Sequence, residues 1–234
     1  MTKRMKWLIP LSAVAVVAAV ALILHLSNPD PIVYEPGTVI YQDDQVTAKV
    51  VEPAAQRQIL QGYFPSYATS EYTFADHPII ATGIVRNIRE VGISYYSDSL
   101  QGIRTKVVTM FDFYVNDYIK NSSQTILNQT VLTVGWPSSS FVFDEDCPEL
   151  HEGAEFLLFM HVMDELDYED VMNRKAYADT WVTGACYVAF EKTESGYISN
   201  PRFERYISDD EKSRIATDLV DIIKEKVAQY QEVG

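Results

Sequence analysis

The sequence predicts a mainly β domain of the α+β class, set between an N-terminal transmembrane helix and a C-terminal amphipathic helix. Three stretches predict it. In Thr105–Ile119 (TKVVTMFDFYVNDYI), Val107, Thr109, Phe111, Phe113 and Val115 share one parity; Asp112, Tyr114, Asn116 and Tyr118 share the other. β-Branched and aromatic residues at a period of two are the pattern of a half-buried strand. In Trp7–Leu26, 20 residues run without a charge, enough helix to span a bilayer core. After Ser208, the residues Ile215, Leu219, Ile222, Ile223 and Val227 recur at helical spacing.

The chain has 234 residues, 47% of them hydrophobic and 12% aromatic, with a formal charge of −14. That size suits one domain with an anchor and a tail. The apolar content suits a packed core. Lys3, Arg4 and Lys6 are the only charges in residues 1–27, so taking those three from −14 leaves −17 on the rest. So acidic a body repels phosphates, which excludes nucleic acid as a partner class, and the charge chiefly serves solubility.

The basic flank precedes the apolar run, which places the N-terminus in the cytoplasm and the body outside. A cleaved signal would close a shorter apolar region with Ala-x-Ala. Leu24-His25-Leu26-Ser27 offers none, so residues 1–27 read as a retained signal-anchor in the cell membrane. Residues 28–68 read as a stalk and a peripheral segment, because Asn28–Pro36 (NPDPIVYEP) carries three prolines. Within it, Val39–Tyr41 and Val46–Val51 suggest a hairpin, and Pro53–Leu60 a short helix stopped by Gly62. The aromatic stretch Tyr63–Phe74 is either an exposed binding surface or a cap on the end of the domain.

The β-domain occupies residues 69–207. Its strands are Pro78–Val91, Thr105–Ile119, Thr130–Trp136, Ala154–Met163 and Trp181–Lys192. Gly83 marks a bulge or bend in the first. A turn at Ser195-Gly196 leads into Tyr197–Phe203. Gly92–Gly102 and Asp164–Asp179 read as polar loops. In residues 208–234, Ser208 to Glu211 match a capping box, and the helix that follows is expected to pack on the domain. An unbroken central strand requires Phe111, Phe113 and Val115 to be buried together, with Asp112 and Asn116 facing outward.

The segments Thr69–Val85 (TSEYTFADHPIIATGIV), Phe111–Lys120 (FDFYVNDYIK) and His151–Met160 (HEGAEFLLFM) follow one another as a capping helix, a hairpin strand and a buried strand. Together they resemble the small OB-like β-barrel domains found outside bacterial and archaeal cells. The resemblance covers about residues 69–203 and implies a five-stranded, partly open barrel. It implies no reaction, since such folds host many functions. Where the family pattern has a glycine-rich loop after the third strand, this chain has Trp136-Pro137-Ser138-Ser139-Ser140.

The two cysteines, Cys147 and Cys186, read as a disulfide, because the body lies outside the membrane. Two buried thiols are the alternative. His151-Glu152 is not the start of a zinc-protease motif, since Glu155 stands where its second histidine is needed. A looser divalent-cation site could draw on His151, Glu152 and His161 with Asp144 or Asp146. The acidic runs Phe143–Glu155 and Asp164–Asp170 suggest calcium, but an EF-hand starting at Asp144 fails at Pro148 and Glu149. There is no nucleophile elbow, phosphate loop or dinucleotide fingerprint. Asn121-Ser122-Ser123 and Asn128-Gln129-Thr130 match the N-glycosylation acceptor.

The pattern therefore points to a membrane-anchored binding or interaction module of the cell envelope, contacting a protein, a glycan or an ion. The alternative is a metal-assisted or carboxylate-based hydrolase built on the acidic loops. A buried carboxylate pair would favour the second.

Overall fold

Two long strands carry the fold, Ile79–Ser97 (β4) and Gly102–Asn121 (β5), paired antiparallel. In chain order the other elements are β1 (Val39–Gln42), β2 (Val46–Val50), β3 (Gln58–Leu60), helix α1 (Ser70–Ala75), β6 (Val131–Trp136), β7 (Val142–Asp144), β8 (Glu155–Val162), β9 (Thr180–Trp181), β10 (Ala189–Thr193), β11 (Gly196–Tyr197) and helix α2 (Asp209–Gln231). This computed structural model describes residues 33–55, 58–60, 70–97, 100–127, 129–136, 139, 142–144, 147–163, 178–182, 188–198 and 202–231. The chain divides into two units, Met1–Val33 and Tyr34–Gly234, and the fold is that of the second. The predicted span Trp7–Leu26 lies outside the described residues; among those described, no helix is long and apolar enough to cross a membrane.

Five strands close a ring. β4 pairs with β5, β5 with β6, β6 runs parallel to β9, β9 pairs with β8, and β8 returns to β4. β10 pairs with the earlier part of β8 and β9 with its end. The predicted fifth strand is thus present as two pieces. One apolar core joins this ring to both helices. Phe111, Trp136 and Phe156 meet edge to face, with centroids 5.9 and 6.3 Å apart, the arrangement ring quadrupoles favour. Helix α2 enters the same core through Ile215, Leu219, Ile222, Ile223 and Val227, as its spacing predicts. Its capping box is made: the Glu211 N–H donates to Ser208 Oγ at 3.3 Å, and the Ser208 N–H to Glu211 Oε2 at 2.6 Å.

Gly83 and Gly196 are two of the close approaches that require glycine. Gly83 stands at an irregularity of the β4–β5 register, as predicted. A Cβ there would lie 2.4 Å from the Tyr114 carbonyl oxygen. Gly196 has φ +110°, and a Cβ on it would lie 1.9 Å from the Ala216 carbonyl oxygen of α2. Gly196→Ala is therefore expected to lose about 1–3 kcal/mol through strain and displaced packing. A denaturant titration checks this; an unchanged midpoint would show that α2 does not press on the turn.

Several elements differ from the sequence reading. Gly92–Gly102 is not a loop, because β4 runs on to Ser97 and β5 starts at Gly102. Ile93, Tyr95 and Tyr96 had the strand pattern, but the serines among them hid it. Pro53–Ala55 is not helical, and Gln58–Leu60 pairs parallel with Val142–Asp144, so tertiary pairing overrides a weak local preference. Tyr197–Phe203 shrinks to β11, followed by a 3-10 turn at Phe203–Tyr206. The predicted hairpin before residue 52 is present as β1 and β2. In the central strand Phe111 and Phe113 are fully buried and Asn116 is exposed, while Val115 is only half-buried. Asp112 is the correction: it is buried, 7% exposed.

Candidate functional site

The burial of Asp112 begins with a break in β4. Between Arg86 and Arg89 the register with β5 slips, and Asn87 takes φ 55°, a left-handed conformation that asparagine tolerates better than most residues. The slip turns polar side chains inward. Asn87 Nδ2 donates to Asp112 Oδ2 at 2.7 Å, and Arg89 Nη1 to Asp112 Oδ1 at 3.0 Å and to the Asn87 carbonyl at 2.9 Å. The Tyr34 ring lies 4.3 Å from the Arg89 guanidinium carbon, a cation–π distance. From the loop before β8, Glu152 Oε1 accepts the Ile88 N–H at 2.6 Å. Alongside, Thr109 Oγ1 donates to Glu90 Oε1 at 2.8 Å. The Asp112 carboxylate is committed on both oxygens. This cluster is an elbow holding one half of the β4–β5 hairpin against the other.

Beyond the elbow the hairpin forms an arm. There β4 takes β2 as its neighbour, from Val46–Tyr95 to Val50–Val91. A second core supports it, built from Val46, Ala48, Val91, Ile93, Val108 and Met110, with Met163 and Ala178 brought in from beyond β8. Asp43 closes the β1–β2 turn by accepting the Gln45 and Val46 N–H groups at 2.8 and 2.7 Å. The tip carries apolar groups in water: Tyr96 is 53% exposed, Leu100 59% and Ile103 77%. Arg104 and Lys106 are exposed too, but on the opposite face, in register with Tyr95 and Ile93, whereas Ile103 is in register with Tyr96. Ser94 and Thr105 hydroxyls bond across the strands at 2.8 Å. The paired strands thus present an aromatic and aliphatic patch on one face and two cations on the other.

The sequence candidates are placed as follows. Asp144 belongs to β7; Asp146, Cys186 and the acidic loop Asp164–Asp170 lie outside the described residues. The predicted Cys147–Cys186 bridge lies outside them too; Cys147 is buried at 6% exposure. His151 and Glu152 are exposed before β8, whereas His161 stands at its far end, about 20 Å of extended strand away. The looser grouping of these three is thus not assembled. Among the described residues no three His, Cys, Asp or Glu side chains gather to hold a metal ion. The Asn121 amide is engaged, Nδ2 with the Ile126 carbonyl at 3.0 Å and Oδ1 with the Ser123 N–H at 3.2 Å; Asn128 is not described. Of the aromatic stretch Tyr63–Phe74, residues 63–69 lie outside the described residues; Phe74 is buried against Phe159 and Phe203.

A polar corner that the sequence did not reveal lies at the other end of the ring. Lys120 of β5, buried, donates to the Phe74 carbonyl at 3.2 Å and to that of Ala75, satisfying the last turn of α1. Burial pushes this lysine below its ordinary range, with Asp76 opposing. His77 and His161 pack ring to ring beside it. No protein-family model, no curated protein and no solved structure matches the chain.

Proposed function

We propose that the chain is a membrane-anchored, extracytoplasmic binding module of the cell envelope, and that its OB-like barrel presents a contact surface on the β4–β5 arm. The connectivity of the ring supports the OB-like reading. Its first strand pairs with the second and fourth, and its third runs parallel to the fifth. In that architecture the loop joining the first two strands is a customary binding element; here it is the tip of the arm. One observation carries the binding role: Tyr96, Leu100 and Ile103 stand in water on a supported hairpin. Exposed apolar groups held on a rigid scaffold mark interaction surfaces.

Two measurements test this. Protease added to intact cells, with any wall removed, should digest Tyr34–Gly234; full protection would overturn the topology. A photo-crosslinking residue at position 103 of the full chain should give adducts that the same residue at the exposed position 198 does not. Equal labelling from both positions, or none from 103, would remove the arm from the proposal.

A further inference from the structure

We infer that the outer edge of β5 on the arm takes up an added strand, an extended protein segment in which acidic and apolar residues alternate. The inference rests on the arm being the contact surface. β6 covers β5 from Tyr114 back to Thr109, which stands opposite Trp136, the last residue of β6. β5 continues back to Gly102, paired there with β4 alone among the described residues. The Val115 N–H donates to the Thr130 carbonyl on the β6 side at 2.9 Å. Backbone groups alternate sides along a strand, so Ile103, Thr105 and Val107 turn theirs the same way. The far side of β4 agrees. The Glu90 carbonyl accepts from the Val51 N–H, which turns Val91, Ile93 and Tyr95 toward β5 and makes Val108, Lys106 and Arg104 their bonded partners. Ile103, Thr105 and Val107 therefore hold their N–H and C=O groups toward an edge that no described strand covers, the template on which a further strand pairs.

The side chains select the occupant. Arg104 and Lys106 are exposed and two positions apart, so they stand on one face about 7 Å from each other. Ile103, 77% exposed, lines the other face with exposed Thr105 and half-buried Val107, in register with Tyr96, Ser94 and Gly92. An incoming strand meets the two cations with every second residue and the apolar face with those between. Opposite charges across a strand pair are worth about 1.5- to 5-fold each in affinity, and like charges directly opposite are destabilising. That disfavours a second copy of the same edge, because antiparallel pairing centred on Thr105 would set Arg104 against the second copy's Lys106 at both ends. Charged edge residues guard a strand against its own kind in this way, and the same charges admit an acidic strand. The net charge of −14 opposes an acidic segment at long range. Salt screens that field beyond about 8 Å, which leaves the contact charges to decide.

The test uses the full chain in detergent and a synthetic peptide of alternating glutamate and valine, with a lysine–valine peptide as control. On addition of the glutamate peptide, amide exchange should slow several-fold at Ile103, Thr105 and Val107. It should stay unchanged at Arg104 and Lys106, whose N–H groups already bond to β4. Arg104→Glu with Lys106→Glu should weaken binding of the glutamate peptide about tenfold and turn the preference to the lysine peptide. Thr105→Pro removes one outward N–H at an edge position that tolerates proline, and should weaken binding as well. Slowing at all five amides alike, equal affinity for the two peptides, or no slowing at millimolar peptide would overturn the inference. So would the same alternating protection appearing without peptide as protein concentration rises, which would give the edge to a second copy. Cross-links from position 103 that persist without the alternating pattern would keep the arm as a contact surface and remove the edge from it; absence of both would remove the two together. Should a variant fail to fold, the wild-type exchange pattern decides.

Discussion

Phe111→Ala is expected to cost about 3–5 kcal/mol, the usual cost of emptying a buried phenylalanine site. Phe111 is fully buried and touches Phe113 and Trp136, whose centroids lie 6.3 and 5.9 Å away. Its β6 partner in register is Val134, itself fully buried. The ring is closed on itself through β4 and β8, so the walls cannot collapse into the void without disturbing several pairings. A domain holds about 5–15 kcal/mol in total, so the variant will sit near the edge of folding. Denaturant titration of Tyr34–Gly234, which contains both cores, measures it. A loss under about 1 kcal/mol would mean that Phe111 is not at the centre of the ring.

Asp112→Ala is expected to be as damaging, about 3–5 kcal/mol, because it strands a buried cation. The Arg89 side chain is 5% exposed and that of Asp112 10%. With the carboxylate gone, Arg89 keeps its charge and loses its counter-ion, and Asn87 loses its acceptor. Replacing the arginine too should recover much of the loss: Asp112→Ala with Arg89→Met should be less destabilised than the two single variants added together. Asp117→Ala, on the exposed part of the same strand, should stay within about 0.5 kcal/mol. Equal costs for Asp112→Ala and Asp117→Ala would show that the elbow is not held by this pair.

The contrast between Phe111 and Asp112 shows how far the sequence could be read. Alternation over Thr105–Ile119 assigned Phe111 and Phe113 to the core because their face is set by the strand alone. Alternation puts Asp112 on the opposite face, where it is, and in water, where it is not. What covers it comes from Asn87, Arg89 and Tyr34, and periodicity within one strand carries no information about another. A local signal did exist. Asn87-Ile88-Arg89-Glu90 breaks the alternation of β4, and asparagine in such a break invites the left-handed conformation found there. The capping box at Ser208 was legible because both its bonds close within four residues. The histidine corner was not, since His77 and His161 lie on elements far apart in the chain. The arm was hidden by serines that read as loop residues, although they lie on paired strands.

The closure of the ring through β8 also has a consequence in time. β4 has two neighbours there: β5, which follows it at once, and β8, which comes only after β6 and β7. A chain emerging from its N-terminus at about 5–20 residues per second completes the hairpin at Asn121, then waits roughly 2–8 s for Val162. Through that interval Ile79–Ile84 lacks its β8 partner and offers bare N–H and C=O groups to any strand nearby. Joining distant segments also carries a loop-closure cost that the local hairpin does not. Closing the ring is thus the late step of folding, and the nascent chain is most open to mispairing just before β8 arrives.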